Sequence, residues 1–123
     1  MESLDEFLER EIIPRYAAFD KAPREDHARQ VMARSLELAA HYPVDRRMVC
    51  VAAACHALGL SADRRTHHLD SGRIIRQMSE LRRWVTEDEI ETIAQAAEDH
   101  RASSDHAPRS IYGRILAEAD RLI

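Results

Sequence analysis

The chain has 123 residues and 14.1 kDa, with 45% hydrophobic and 33% charged side chains, which is the size of one ordinary domain and too apolar for disorder driven by composition. Eighteen Lys+Arg against 22 Asp+Glu give a net charge of −4, a poor footprint for a nucleic-acid polymer. Three glycines and four prolines exclude collagen-like and low-complexity classes.

Few aromatic and β-branched residues, with many Ala, Leu, Arg and Glu, predict an all-α fold. We expect a single domain over residues 1–123, a helical bundle of about six helices with no strand. The acidic, amphipathic stretch Met1 to Arg10 lacks the basic start and apolar run of a signal peptide. The first predicted helix runs from Leu4 to Phe19, with Pro14 kinking or breaking it. A loop from Asp20 to Arg24 contains Pro23. The second helix starts near Glu25 and turns Ala28, Val31, Met32, Ser35, Leu36 and Ala39 inward. It stops before Tyr42-Pro43, because a residue ahead of proline avoids the helical region.

Asp45 suits the cap of a third helix over Met48 to Leu58, an apolar run interrupted only by His56. This run is too short and too polar for a membrane span, and apolar on all sides, so it belongs at the centre of the bundle. Gly59 reads as its C-terminal stop. A polar loop, Ser61 to Thr66, leads to a fourth helix from His67 to Met78. Thr86 and Glu89 form the pattern of a capping box for a fifth helix that ends near His100. Arg101 to Arg109 is a polar loop, and the last helix starts near Ser110. Cys50 and Cys55 lie five residues apart in one helix and face different ways. A disulfide between them is not expected, and reduced cysteines fit a cytoplasmic chain without membrane attachment.

Seven histidines stand out: His27, His41, His56, His67, His68, His100 and His106. Histidine and carboxylate on neighbouring helices can hold a divalent metal inside a bundle. His56 closes Val49-Cys50-Val51-Ala52-Ala53-Ala54-Cys55, so it is buried and needs a partner. A backbone carbonyl and a metal are both open to it. His41 and His106 sit in polar, loop-like contexts and read as solvated, and His67 reads as an exposed helix-start residue. Seventeen of the eighteen basic residues are arginine, whose planar fork suits a phosphate group.

The order of these residues resembles the HD-domain superfamily of metal-dependent phosphohydrolases. His27 stands in Glu25-Asp26-His27-Ala28-Arg29-Gln30-Val31, His56 in Ala53-Ala54-Cys55-His56-Ala57-Leu58-Gly59-Leu60, and Asp120 in Ala117-Glu118-Ala119-Asp120-Arg121. Two further pieces are similar to a subset with a second metal: His67-His68-Leu69-Asp70-Ser71-Gly72 and Glu98-Asp99-His100-Arg101-Ala102-Ser103-Ser104. With Pro108-Arg109-Ser110-Ile111-Tyr112-Gly113, the chain looks like a branch of small bacterial HD proteins, over about residues 20 to 123.

The resemblance implies a divalent cation (Mn, Mg, Ni, Co or Fe) on His27, His56 and Asp120, with His68 and His100 as ligands of a second ion. It also implies catalytic roles for His68, His100 and Asp99, the last as an acceptor that orients a histidine. Arg101 and Arg109 become phosphate contacts on the same cleft, with Arg121 close by in the sequence. The implied partner is a nucleotide or another small phosphate ester, and a homodimer is compatible with the type. One departure is central. The carboxylate that the family carries directly after the second histidine is Ala57 here, and a methyl ligates nothing. The remaining two imidazoles and one carboxylate are still a recognised metal set. Three outcomes follow for such a chain: a hydrolase weakened at position 57, a degenerate domain that binds a ligand or partner without turnover, or a di-iron oxygenase on the same scaffold.

Overall fold

The computed structural model describes residues 1–19, 25–61, 66–101 and 107–122. The loop expected around Pro23, most of the loops expected after Ser61 and Arg101, and His106 lie outside the described residues. Six α-helices are present and no strand is found among the described residues: α1 Leu4–Phe7, α2 Glu25–Ala39, α3 Arg46–Cys55, α4 His67–Gln77, α5 Glu87–Asp99 and α6 Ile111–Arg121. None of these helices is long and apolar enough to cross a membrane.

The kink or break expected at Pro14 takes the form of a change of helix type. α1 widens into a π-helical turn, Leu8–Ile12, and then tightens into a 3-10 stretch, Ile13–Ala18, with Pro14 in its first turn. Proline lacks the N–H of the regular ladder and its ring crowds the carbonyl four residues back. A wide turn ahead of it and a tight one after it absorb both problems, and the segment still buries Phe7, Leu8, Ile12, Ile13 and Tyr16.

α3 is the centre of the bundle. Every residue from Met48 to Cys55 is buried, and burial pushes the Cys55 thiol up to about 12. Both cysteines are free. Asp45 caps this helix by accepting from Arg47 N at 2.9 Å. α2 packs on α3 and α6, α4 on α5, and α5 on α3 and α6. Thr86 and Glu89 form the capping box of α5.

α3 ends earlier than Gly59, with His56 as its C-cap. Gly59 falls in a 3-10 turn, Leu58–Ser61. Its need for glycine comes from close approach. A Cβ there would run into the His67 carbonyl and lie 2.7 Å from Ser71 N, so the bare backbone lets the first turn of α4 sit directly on the end of α3.

α6 is seated at two points. The Tyr112 hydroxyl accepts from Asp45 N at 2.8 Å, tying α6 to the start of α3. Arg109, just ahead of α6, donates from its backbone N to Asp99 Oδ2 at 2.9 Å, tying α6 to the end of α5. These two ties fix the helix that carries Asp120.

Candidate metal centre

Three distant parts of the chain meet at one end of the bundle. His27 lies in the first turn of α2, His56 caps the C-terminus of α3, and Asp120 lies in the last turn of α6. One ligand atom from each lies within 4.8 Å of the other two. His27 Nε2 is 3.1 Å from Asp120 Oδ1, and His56 Nε2 is 3.7 Å from the same oxygen.

The tautomer of His56 follows from its partner. Its Nδ1 lies 2.7 Å from the Ala53 carbonyl oxygen. A carbonyl only accepts, so Nδ1 carries the proton and Nε2 presents a lone pair toward Asp120. The carbonyl expected as one partner is found, and the other nitrogen faces the His/Asp cluster. Burial pushes its pKa below the ordinary imidazole value, so the ring is neutral at physiological pH. A neutral imidazole fixed through its other nitrogen is the form in which histidine binds metals.

This donor set fits a divalent cation. Two imidazoles and a carboxylate at these separations come close to the span of a shared coordination shell, whose bonds are about 2.1 Å long. His27 and Asp120 are each about one-third exposed, at 29% and 31%, so the cluster opens to solvent on the side away from His56. Ala57 is buried and adds no donor to it.

His100 repeats the arrangement of His56. It caps α5, donates from Nδ1 to the Ala97 carbonyl, and is buried. Burial pushes its pKa down, with the neighbouring His56 adding to the shift. The two rings meet edge to face at 5.3 Å between centroids. On the other side of His100 stands His67, at 5.6 Å, and His67 meets His68 at 6.0 Å. A row of five imidazoles therefore runs His27, His56, His100, His67, His68. His68 Nδ1 is buried without a hydrogen-bond partner among the described residues, and burial lowers its pKa.

Sequence reasoning passed over His67 as a surface residue. It is half-buried and next to His100, and its Nδ1 lies 3.4 Å from Arg101 Nη1. No signal in the residues around it points to His100; the close approach at Gly59, whose missing Cβ admits the first turn of α4, emerges only from the packing. His41, by contrast, is exposed.

The two arginines expected on the cleft sit differently. Arg101 is beside His67. Arg109 donates through Nε and Nη2 to Asp99 and through Nη2 to Glu98, at 2.8 to 3.0 Å. Asp99 is buried, and Arg76 holds Glu98 from the other side at 2.6 Å. Hydrogen bonds hold both guanidiniums above their ordinary value, those of Arg76 to Glu91 and Glu98 and those of Arg109 to Asp99 and Glu98. Gly72 gives this network room, since a Cβ there would lie 2.6 Å from Glu98 Cγ. Arg121 pairs with Glu118 on the surface.

The architecture is thus an all-helical domain with a His/Asp cluster where three helices meet. The family model described as HD domain matches residues 24–123, and the chain belongs to that family. Among solved structures, it is similar to a predicted HD superfamily hydrolase from an uncultured Thermotogales bacterium. The TM-score is 0.75 at 23% identity, over 98% of this chain and 74% of the other; that likeness concerns the fold. No curated protein matches the chain in sequence.

Proposed function

We propose that the chain is an HD-type, metal-dependent phosphohydrolase acting on a nucleotide or another small phosphate ester, with its output limited by Ala57. The observation that carries this reading is the convergence of His27, His56 and Asp120, with the lone pair of a buried, neutral His56 directed into the cluster.

A divalent cation (Mn, Mg, Ni, Co or Fe), when bound there, supplies Lewis acidity and makes hydroxide available near neutral pH. The protein's own groups do the rest. His56 is held by the Ala53 carbonyl and cannot turn away. Asp120 brings the one negative charge of the trio. His68 and His100, with their neutral rings, extend the donor row as further ligands or proton carriers. Arg101, beside His67, suits direct contact with a substrate phosphate. Arg109 acts at one remove: it keeps Asp99 and Glu98 in place behind His100.

The test compares the parent with Ala57→Asp by elemental analysis and by hydrolysis of a phosphate-ester panel. A restored carboxylate attracts the dication, so metal content and turnover should rise together, by about tenfold in affinity. Equal metal occupancy and equal turnover in both forms would defeat the assignment of this site.

The buried methyl of Ala57 favours a second reading, a ligand-binding module without turnover. It predicts phosphate-ester binding by the metal-loaded parent, reduced in Arg101→Ala, with no hydrolysis in either parent or Ala57→Asp.

A further inference from the structure

The residues just ahead of the HD match reach the metal centre through one side chain. Tyr16 lies in the 3-10 stretch Ile13–Ala18, before the matched residues 24–123. Its side chain is fully buried. Its hydroxyl donates to the Ala54 carbonyl at 2.6 Å and accepts from Ala57 N at 3.3 Å. The hydroxyl thus bridges the two peptides that flank Cys55-His56.

That location matters for a general reason. The last carbonyls of a helix have no partner inside it, and unless something outside holds them the end frays. At the end of α3 the Ala53 carbonyl is taken by His56 itself and the Ala54 carbonyl by Tyr16. If the end loosens, the Ala53 carbonyl moves, and the contact that fixes the His56 tautomer goes with it. The arginines of α3 sit at its other end, and Met48 to Cys55 are apolar or cysteine and buried, so no charged or hydroxyl side chain of this helix replaces the tie. Burial holds the Tyr16 phenol well above its ordinary value, so it keeps its proton and stays a donor.

We propose that Tyr16 is a positioning residue for the metal centre: its hydroxyl clamps the C-terminus of α3 and thereby holds the His56 imidazole with Nδ1 protonated and Nε2 directed at Asp120. The inference rests on the metal-centre reading above for its functional meaning, and on the hydrogen bonds alone for its structural content.

Tyr16→Phe removes only the oxygen and keeps the ring packed against Phe19, 5.4 Å away. Phe19→Leu is the comparison variant, because it disturbs the same packing and leaves the hydroxyl in place. Nitrogen-15 spectra of the metal-free proteins read the His56 tautomer directly, and titration with Mn²⁺ or Co²⁺ reads affinity. In the parent, His56 should show a single Nδ1-protonated form. In Tyr16→Phe that signal should become a mixture of tautomers, Ala57 amide exchange should accelerate, and metal affinity should fall about tenfold, the usual effect of losing a group that orients a ligand. Phe19→Leu should melt earlier with an unchanged His56 signal. An unchanged tautomer in Tyr16→Phe, or an equal change in Phe19→Leu, overturns the proposal. A parent that binds neither ion defeats the metal reading separately, and the tautomer comparison still decides the role of Tyr16.

Discussion

The ends of α3 and α5 carry the same local device in opposite surroundings. Each helix closes on a histidine in right-handed helical geometry, His56 at φ −59 and ψ −27 and His100 at φ −67 and ψ −17. Each ring donates Nδ1 to the carbonyl three residues back. The end of α3 is apolar, and its outside partner is the neutral hydroxyl of Tyr16. The end of α5 carries Glu98 and Asp99, clasped by Arg76 and Arg109. One helix end is therefore held by a neutral hydroxyl and the other by charge. Only the first faces Asp120 as a member of the close trio. Identical local geometry does not make two equivalent ligands; the helix that each one faces does.

The largest difference should appear on removing each histidine. His56→Ala should lower affinity for Mn²⁺ or Co²⁺ by at least about 100-fold, more than the loss of an orienting group alone. His100→Ala should cost about tenfold or less at the same site. Calorimetric titration of both variants checks this, and equal losses would erase the distinction.

Arg109→Ala comes next. It strips the side-chain donors from a buried carboxylate, Asp99, which should cost about 2–3 kcal/mol in denaturant unfolding. Arg109→Lys should recover part of that. A loss under about 0.5 kcal/mol in Arg109→Ala, the range of an ordinary surface change, would mean that α5 is not held by charge.

The glycines divide the same way. Gly59→Ala drives a Cβ into α4 backbone and should cost about 2 kcal/mol, in the range of an overpacked core. The nearest atoms that Gly72→Ala meets belong to the Glu98 side chain, whose end gives way more easily than backbone, and the change should cost about 1 kcal/mol. Thermal melts of the two variants rank them; the reverse order would contradict the backbone contact at Gly59.

The last comparison is in pH, where the two helix ends act together. Burial lowers the folded-state pKa of both His56 and His100 below the ordinary 6.5. Below that value the unfolded chain takes up protons that the folded chain refuses. In chelator, stability should therefore be at its full value above about pH 6.5 and fall as pH drops, by about 1.4 kcal/mol per pH unit for each histidine that stays neutral. His100→Asn should remove one histidine's share of that slope. A parent profile that is flat between pH 7 and 5 would show that neither ring resists protonation.

Much of the fold is legible from residue types alone. The apolar run Met48 to Cys55 dictates a central helix because only a core removes that surface from water. Asp45 and the Thr86–Glu89 pair mark helix starts because their oxygens fit the free N–H groups there. The order of His27, His56 and Asp120 indicated a shared site, since the resemblance supplied which helices meet. Pro14 showed the limit of local rules: it forbids a regular turn at its position, but whether the chain breaks or changes helix type depends on what the flanking residues can bury. His67 and Tyr16 were illegible for another reason. Their roles come from contacts across 33 and 41 residues of sequence, His67 with His100 and Tyr16 with Ala57, and nothing in either residue's neighbours encodes the partner. Arg109 likewise read as a phosphate contact, because the sequence cannot say that Asp99 is buried and must be neutralised. The sequence by itself determined helices, caps, core and candidate ligands, which depend on short-range chemistry. Tertiary structure decided which nitrogen faces the cluster, which carboxylates hold Arg109 and what ties each helix end, because those depend on how the helices pack in space.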